Sequence, residues 1–158
     1  MNINLQNKLL IIIACLCQAS FVYGQGASCS QADPFCSNSG ATFPAGVNNG
    51  TYQPSGNSYS CGGGLWSTLV TQPNAAWYYL QISTAGNLEI TLTNSNNVDV
   101  DFALWGPFAS LSAAAASCGS LPQAIDCSFN PQSTEVMNIN GAQVGQVYLL
   151  MITNYSNQ

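Results

Sequence analysis

Apolar and polar side chains alternate along much of the second half of the chain, a pattern typical of β-strands with one buried face. The alternation predicts four strands, over residues 76–82, 87–93, 98–105 and 135–139. A fifth strand is predicted over 143–152, where the apolar run 147–152 indicates burial on both faces. One short helix is predicted over 110–117, because the four consecutive alanines at 113–116 favour helix.

Residues 25–64 are instead rich in glycine, proline, serine and asparagine, the residue types that form turns. We expect an irregular segment there, with one or two short strands. Short strands separated by turns are typical of antiparallel sandwiches. The sequence therefore predicts an all-β fold: an antiparallel, jelly-roll-like β-sandwich over 65–158, an irregular N-terminal segment over 25–64 tied by disulfides, and one short helix.

Residues 1–24 have the pattern of a secretory signal peptide. A polar start ends at Lys8, nine apolar residues follow at 9–17, and compact residues precede Gln25. The apolar run is too short for a transmembrane helix, which needs about 20 residues, and no later run reaches that length. Residues 12–15 also fit a lipobox, with Cys15 as the acylated residue. We predict a secreted or cell-surface protein, with both kinds of leader left open.

Charged side chains are scarce, and this excludes several classes of function. The formal net charge is −5, from six acidic residues and one basic residue, Lys8, and the chain has no histidine. Nucleic-acid binding depends on Lys and Arg, and Ser–His or Cys–His catalysis needs an imidazole. Glu89 with Asp99 or Asp101 resembles a glycosidase carboxylate pair, but no basic side chain is present to hold sugar and acid. We predict no nucleic-acid partner and no enzymatic activity.

Five cysteines follow the leader, which contains Cys15 and Cys17; they are Cys29, Cys36, Cys61, Cys118 and Cys127. In an oxidising compartment these residues form disulfides more often than metal sites. We predict the local pairs Cys29–Cys36 and Cys118–Cys127, although spacing does not fix connectivity and Cys61 can pair with any of them. The odd number indicates a missing partner, and we expect the chain to be truncated after its last strand.

Asp99 and Asp101 are the candidate metal ligands. Two residues apart on a predicted strand, they place their carboxylates on one face. Without a cation nearby, they must be exposed, hydrogen-bonded, or bridged by a hard ion. Ca²⁺ takes oxygen ligands, and Asp126, with Asn96 or Asn97, is a candidate to complete the site. Calcium is the only cofactor suggested, and hydrogen-bonded structural acids are the other interpretation.

Trp77, Tyr79 and Trp105 are the candidate ligand-binding residues. Trp77 and Tyr79 share one face of their predicted strand, and Trp105 shares a face with Asp99 and Asp101. Exposed rings of this kind can stack on sugars, whereas buried rings would fill the sandwich core. Both interpretations are open.

Several stretches resemble a known module: 34–36, 74–82, 98–108 and 145–155. The chain, over about 29–158, is similar to the N-terminal β-sandwich module of large secreted surface proteins of gliding bacteria, associated with gliding motility and type IX secretion. It is more loosely similar to pre-peptidase C-terminal-type domains. The resemblance implies a non-catalytic adhesin or scaffold module, which usually continues into one more strand and a cysteine.

Taken together, the sequence predicts a non-catalytic, exported adhesion or structural module of a larger cell-surface protein. Its expected partners are glycans or neighbouring surface-protein domains. The alternative is a carbohydrate-binding module attached to a secreted hydrolase.

Overall fold

The computed structural model describes Gly26 and residues 28–35, 59–60, 68–69 and 74–154. The leader, most of the segment 25–64 and the last four residues lie outside the described residues, and so do the predictions made for them. The strands are β1 (Asp33–Pro34), β2 (Tyr59–Ser60), β3 (Thr68–Leu69), β4 (Ala76–Gln81), β5 (Gly86–Thr93), β6 (Val100–Phe108), β7 (Asp126–Ser128), β8 (Thr134–Ala142) and β9 (Val147–Asn154). The helix α1 spans Leu111–Ala116, and two 3₁₀ turns span Cys29–Gln31 and Ser117–Gly119.

Five of the strands form the main sheet, in the order β1-β4-β9-β6-β7. Its pairs are antiparallel except β1 with β4, which is parallel. β5 and β8 form a second, antiparallel sheet, and β2 pairs with β3. The predicted all-β sandwich is confirmed. The parallel pairing of β1 with β4 at the edge of the main sheet was not predicted.

The sandwich core lies between the main sheet and the β5–β8 sheet. From β5, Leu88, Ile90 and Leu92 point into it, as the alternation predicts, and from β8 Met137 and Ile139 do the same. The main sheet contributes alternate residues of its three long strands: Ala76, Tyr78, Leu80, Val100, Phe102, Leu104, Tyr148, Leu150 and Ile152. The two-residue period of the strands therefore separates core positions from exposed ones.

β9 is the central strand, and every residue of it is buried. It pairs with β4 on one side and β6 on the other, which satisfies its backbone groups. Tyr148 and Leu150 face the sandwich core, whereas Val147, Leu149 and Met151 face the opposite side of the main sheet. The prediction that this strand is buried on both faces is confirmed.

The opposite side of the main sheet is covered by α1 and the short turns. Ala114 of α1 packs there against a cluster that includes Trp77 and Trp105. The helix begins after Ser110, whose Oγ accepts a hydrogen bond from the backbone N–H of Ala113 at 3.1 Å, an N-cap. The predicted short helix is confirmed.

The disulfide pairing differs from the prediction. Cys29 is bonded to Cys118, with Cα atoms 5.6 Å apart and a separation of 89 positions in sequence, so the predicted pairs Cys29–Cys36 and Cys118–Cys127 are wrong. The physical reason is that the turn Cys29–Gln31 packs on the helix-covered side of the main sheet, beside the turn after α1. Cys127 is also disulfide-bonded, and its partner lies outside the described residues, as do Cys36 and Cys61.

Candidate functional site: buried oxygens at the start of β6

Two adjacent strands bring polar side chains together at the start of β6. Asp101, the second residue of β6, lies directly opposite Thr153 of β9. Residues opposite each other in an antiparallel pair share a face of the sheet. Asp99 lies immediately before β6, two residues from Asp101 in sequence. We call Asp99, Asp101 and Thr153 the β6–β9 site.

Two residues of the β6–β9 site are buried, and Asp99 is half-buried. Asp101 is 4% exposed and Thr153 is 0% exposed. One carboxylate oxygen of each aspartate, Asp99 Oδ1 and Asp101 Oδ1, and the hydroxyl Oγ1 of Thr153 have no hydrogen-bond partner among the described residues. Leaving a buried polar group without a partner costs roughly 1–3 kcal/mol. Three such oxygens belong to this one site, so they call for a physical explanation.

A third buried carboxylate lies at the start of β8, in the series that faces the sandwich core, whereas Asp101 and Thr153 face the other side of the main sheet. Glu135, at the start of β8, is 6% exposed, and its Oε1 also has no hydrogen-bond partner among the described residues. Hydrogen bonds hold this end of β8 against the chain before β6. Val100 N–H donates to the carbonyl of Gln132 at 3.1 Å, and the Ser133 hydroxyl donates to Asn97 Oδ1 at 2.7 Å.

Burial and like charge both act on Asp101. Burial, then the negative charges of Asp99 and Glu135, raise its pKa to about 7. Burial also raises the pKa of Asp99. A raised pKa means that the folded protein disfavours the charged carboxylate. The only basic residue of the whole chain is Lys8, so no side chain of the described residues can neutralise these acids.

Glu135 was not among the predicted site residues. Its signal is in the alternation of β8, where Glu135 occupies the same inward series as Met137 and Ile139. A carboxylate at a core position of a strand is unusual. This exception to the apolar inward series of β8 is the sequence signal that distinguishes Glu135.

The structure does not bring Asp126 to this site. Asp126 lies opposite Leu104, three positions along β6 from Asp101 and therefore on the other face of the sheet. Both of its oxygens are engaged, since Oδ1 accepts from Cys127 N–H at 2.9 Å and Oδ2 from Asn138 N–H at 2.7 Å. Its carboxylate connects β7 of the main sheet to β8 of the second sheet, which is a structural role.

The two candidate asparagines also have local roles. Asn97 Oδ1 accepts the Ser133 hydrogen bond, and Asn96 donates its backbone N–H to Asn94 Oδ1 at 2.8 Å. Within the described ranges, no three side chains of Asp, Glu, Cys or His are grouped so that they could hold a metal ion. Any cation at the β6–β9 site would therefore need neutral oxygens beside its carboxylates.

The two indoles predicted as a sugar platform are core residues. Trp77 is 4% exposed and Trp105 0% exposed. Their rings stack at 5.6 Å between centroids with an interplanar angle of 20°, and Trp105 Nε1–H donates to the carbonyl of Pro122 at 3.1 Å. Tyr79 is partly buried at the margin of the same cluster. Of the three predicted ligand-binding rings, only Tyr79 has a share of its surface open to solvent.

Comparisons with protein families, with curated proteins and with solved structures gave no match. The resemblance to the surface-protein module therefore stays a prediction. No helix in the described residues is long and apolar enough to span a membrane.

Proposed function

We propose that the chain is a non-catalytic, exported adhesion or structural module of a larger cell-surface protein. The observation that carries the proposal is the outward face of the β5–β8 sheet. Its residues are exposed and all but one are uncharged: Asn87, Glu89, Thr91, Thr93, Thr134, Val136, Asn138 and Asn140. We call these residues the polar face.

The polar face is suited to contacts with uncharged polar partners. Thr93 lies opposite Thr134, and Thr91 lies opposite Val136, so hydroxyl and methyl groups adjoin across the two strands. Asn138 adds an amide beside Glu89, the only charge. Hydroxyls and amides offer both donors and acceptors, which match the hydroxyls of glycans or the polar surface of a neighbouring domain.

Export is supported by the cysteines and by the leader pattern. Disulfides persist in oxidising compartments and are rare in the cytosol, and the Cys29–Cys118 bond joins distant parts of the chain. The leader pattern over 1–24 agrees with this. A non-catalytic role is supported by the burial of Asp101 and Glu135, which keeps their carboxylates from contact with a substrate as large as a sugar.

The adhesion proposal can be tested with beads coated with the disulfide-bonded protein. In a flow chamber coated with polysaccharide extracted from the producing cells, we expect beads carrying the wild-type protein to be retained. The triple variant Thr91→Ala/Thr93→Ala/Asn138→Ala removes hydrogen-bonding groups from the polar face while leaving the core intact, and it should lose most of this retention.

A matched control removes three exposed polar side chains elsewhere, Ser83→Ala/Thr84→Ala/Gln123→Ala, and should be retained like the wild type. Equal retention of all three proteins, or of none, would contradict the proposal. Protease treatment of intact cells that express the chain with residues 1–24 tests surface location separately. Protection of the chain from protease in intact cells would argue against a surface site.

The carbohydrate-binding module of a secreted hydrolase is the alternative. No observation of the described residues favours it over adhesion, because Trp77 and Trp105 are buried and stacked on each other. Its remaining candidate, Tyr79, can be tested by affinity electrophoresis in plant or bacterial polysaccharides. Retardation that Tyr79→Ala abolishes would support this alternative instead.

A further inference from the structure

We infer that the β6–β9 site binds Ca²⁺, with Asp99 and Asp101 supplying the negative charge and Thr153 a neutral oxygen. This inference is independent of the proposed adhesive function, since the polar face belongs to the other sheet.

The first argument is geometric. Asp101 and Thr153 are opposite each other in adjacent strands and so share a face of the main sheet, and Asp99 lies immediately before β6. A buried threonine hydroxyl beside a carboxylate ordinarily donates a hydrogen bond to it. Here the Thr153 hydroxyl is fully buried and neither it nor Asp101 Oδ1 has a hydrogen-bond partner among the described residues. Buried oxygens of the described residues that have no protein partner and share a face of the sheet are available to coordinate a cation.

The second argument is charge. Asp99 and Asp101 are acidic residues separated by one position in sequence, and Glu135 adds a third buried carboxylate from the second sheet. Buried charges in proteins are paired or coordinate metals, and this chain offers no basic side chain after Lys8. A divalent cation from outside would supply the missing countercharge.

The chemical type of the candidate ligands favours Ca²⁺ over other metal ions. Every candidate donor at the site is an oxygen, which suits hard cations rather than zinc or copper. Ca²⁺ accepts six to eight oxygens in flexible geometry, including carbonyls and water, whereas Mg²⁺ demands a near-ideal octahedron. Because no three acidic groups of the described residues converge, we assign two carboxylates and neutral oxygens to the site, and Glu135 contributes only through its charge.

The test is a titration of the full disulfide-bonded chain with CaCl2, followed by calorimetry and by thermal unfolding, with MgCl2 in parallel. We expect Ca²⁺ to bind with a Kd of roughly 10⁻⁴–10⁻³ M, as in extracellular modules. The Tm should rise with Ca²⁺ concentration because the ion binds the folded state. Mg²⁺ should have a smaller effect. A Tm in CaCl2 equal to that in EDTA would overturn the inference.

Two near-isosteric variants locate the ion. Asp101→Asn and Thr153→Val should each weaken Ca²⁺ binding, Asp101→Asn by at least about tenfold, since even outer-shell changes cost this much. In EDTA, Asp101→Asn should be no less stable than the wild type, because it removes one of three mutually repelling charges. The matched control Glu89→Gln removes an exposed charge from the polar face and should leave the Ca²⁺ response unchanged.

An undiminished Ca²⁺ response in both variants would place the ion elsewhere and overturn the inference. Thr153→Val keeps the shape and charge of the site, so it decides the question if Asp101→Asn fails to fold.

Discussion

At Gly106, β6 bulges where it passes Tyr148 of β9. The pairing of β6 with β9 shifts register between Trp105 and Phe108, and Gly106 has a φ of +140°. A Cβ atom at this position would lie 2.6 Å from Tyr148 Cδ1 and 3.0 Å from the carbonyl oxygen of Val147. Both the conformation and the close approach therefore require glycine.

The variant Gly106→Ala should destabilise the protein by about 1–3 kcal/mol, the usual cost of forcing an extra group into a packed site. The free energy of unfolding is measured by urea denaturation. The control is Gly119→Ala, where a Cβ would meet nothing within 4 Å and where we expect a change within about 0.5 kcal/mol. Equal denaturation midpoints for the two variants would contradict the role of Gly106.

At the scale of elements, the Cys29–Cys118 disulfide fastens the segment 28–35 to the turn after α1. β1 has only two residues, so few backbone hydrogen bonds hold this segment at the edge of the main sheet. The cross-link closes a long loop, and such loops give the largest stabilisation in the chain-entropy description.

The double variant Cys29→Ser/Cys118→Ser should lower the free energy of unfolding by about 2–5 kcal/mol and increase amide hydrogen exchange in residues 28–35. Peptic mapping of the unreduced wild type should recover a peptide pair joined through these cysteines. Recovery of a Cys118–Cys127 pair, or unchanged exchange in the variant, would contradict the structure.

Long, periodic elements were predictable and short or non-local ones were not. The alternation placed Leu88 and Ile90 inside correctly and identified the doubly buried β9. A strand of two or three residues, such as β1 or β7, shows no period, so its pairing depends on distant parts of the chain. The partner of Cys29 was missed for the same reason, because proximity in sequence says little about proximity in the fold.

The candidate site was predicted only in part. The spacing of Asp99 and Asp101 predicted that both lie on one face of a strand, but β6 begins at Val100, so the strand period applies to Asp101 and not to Asp99. Thr153 could not be found this way, because its position opposite Asp101 depends on the register of two strands about 50 residues apart in sequence. Asp126 was a candidate by composition alone, and the register of β7 places it on the other face.

For the molecule as a whole, electrostatics should contribute little to stability outside the β6–β9 site. Charged residues make up 4% of the chain, and the described residues include no basic side chain. Their side chains therefore form no ion pairs that added salt could weaken.

We therefore expect the Tm in EDTA to rise slightly between low and molar NaCl, as salt screens repulsion among the acids. Differential scanning calorimetry measures this, and Glu89→Gln, which lacks one exposed acid, should show the same or a smaller rise. A marked fall of the Tm with NaCl would mean that attractive charge pairs hold the fold.

The order of strands in the main sheet has a consequence for how the chain matures. β4 and β6 do not pair with each other; each pairs with β9, which follows both in sequence. A nascent chain that has not yet released residues 147–154 therefore has no template on which to assemble this sheet. Sheets built from non-local pairs also fold slowly. A polypeptide that crosses a membrane from its N-terminus would thus complete its main sheet only after its central strand has emerged.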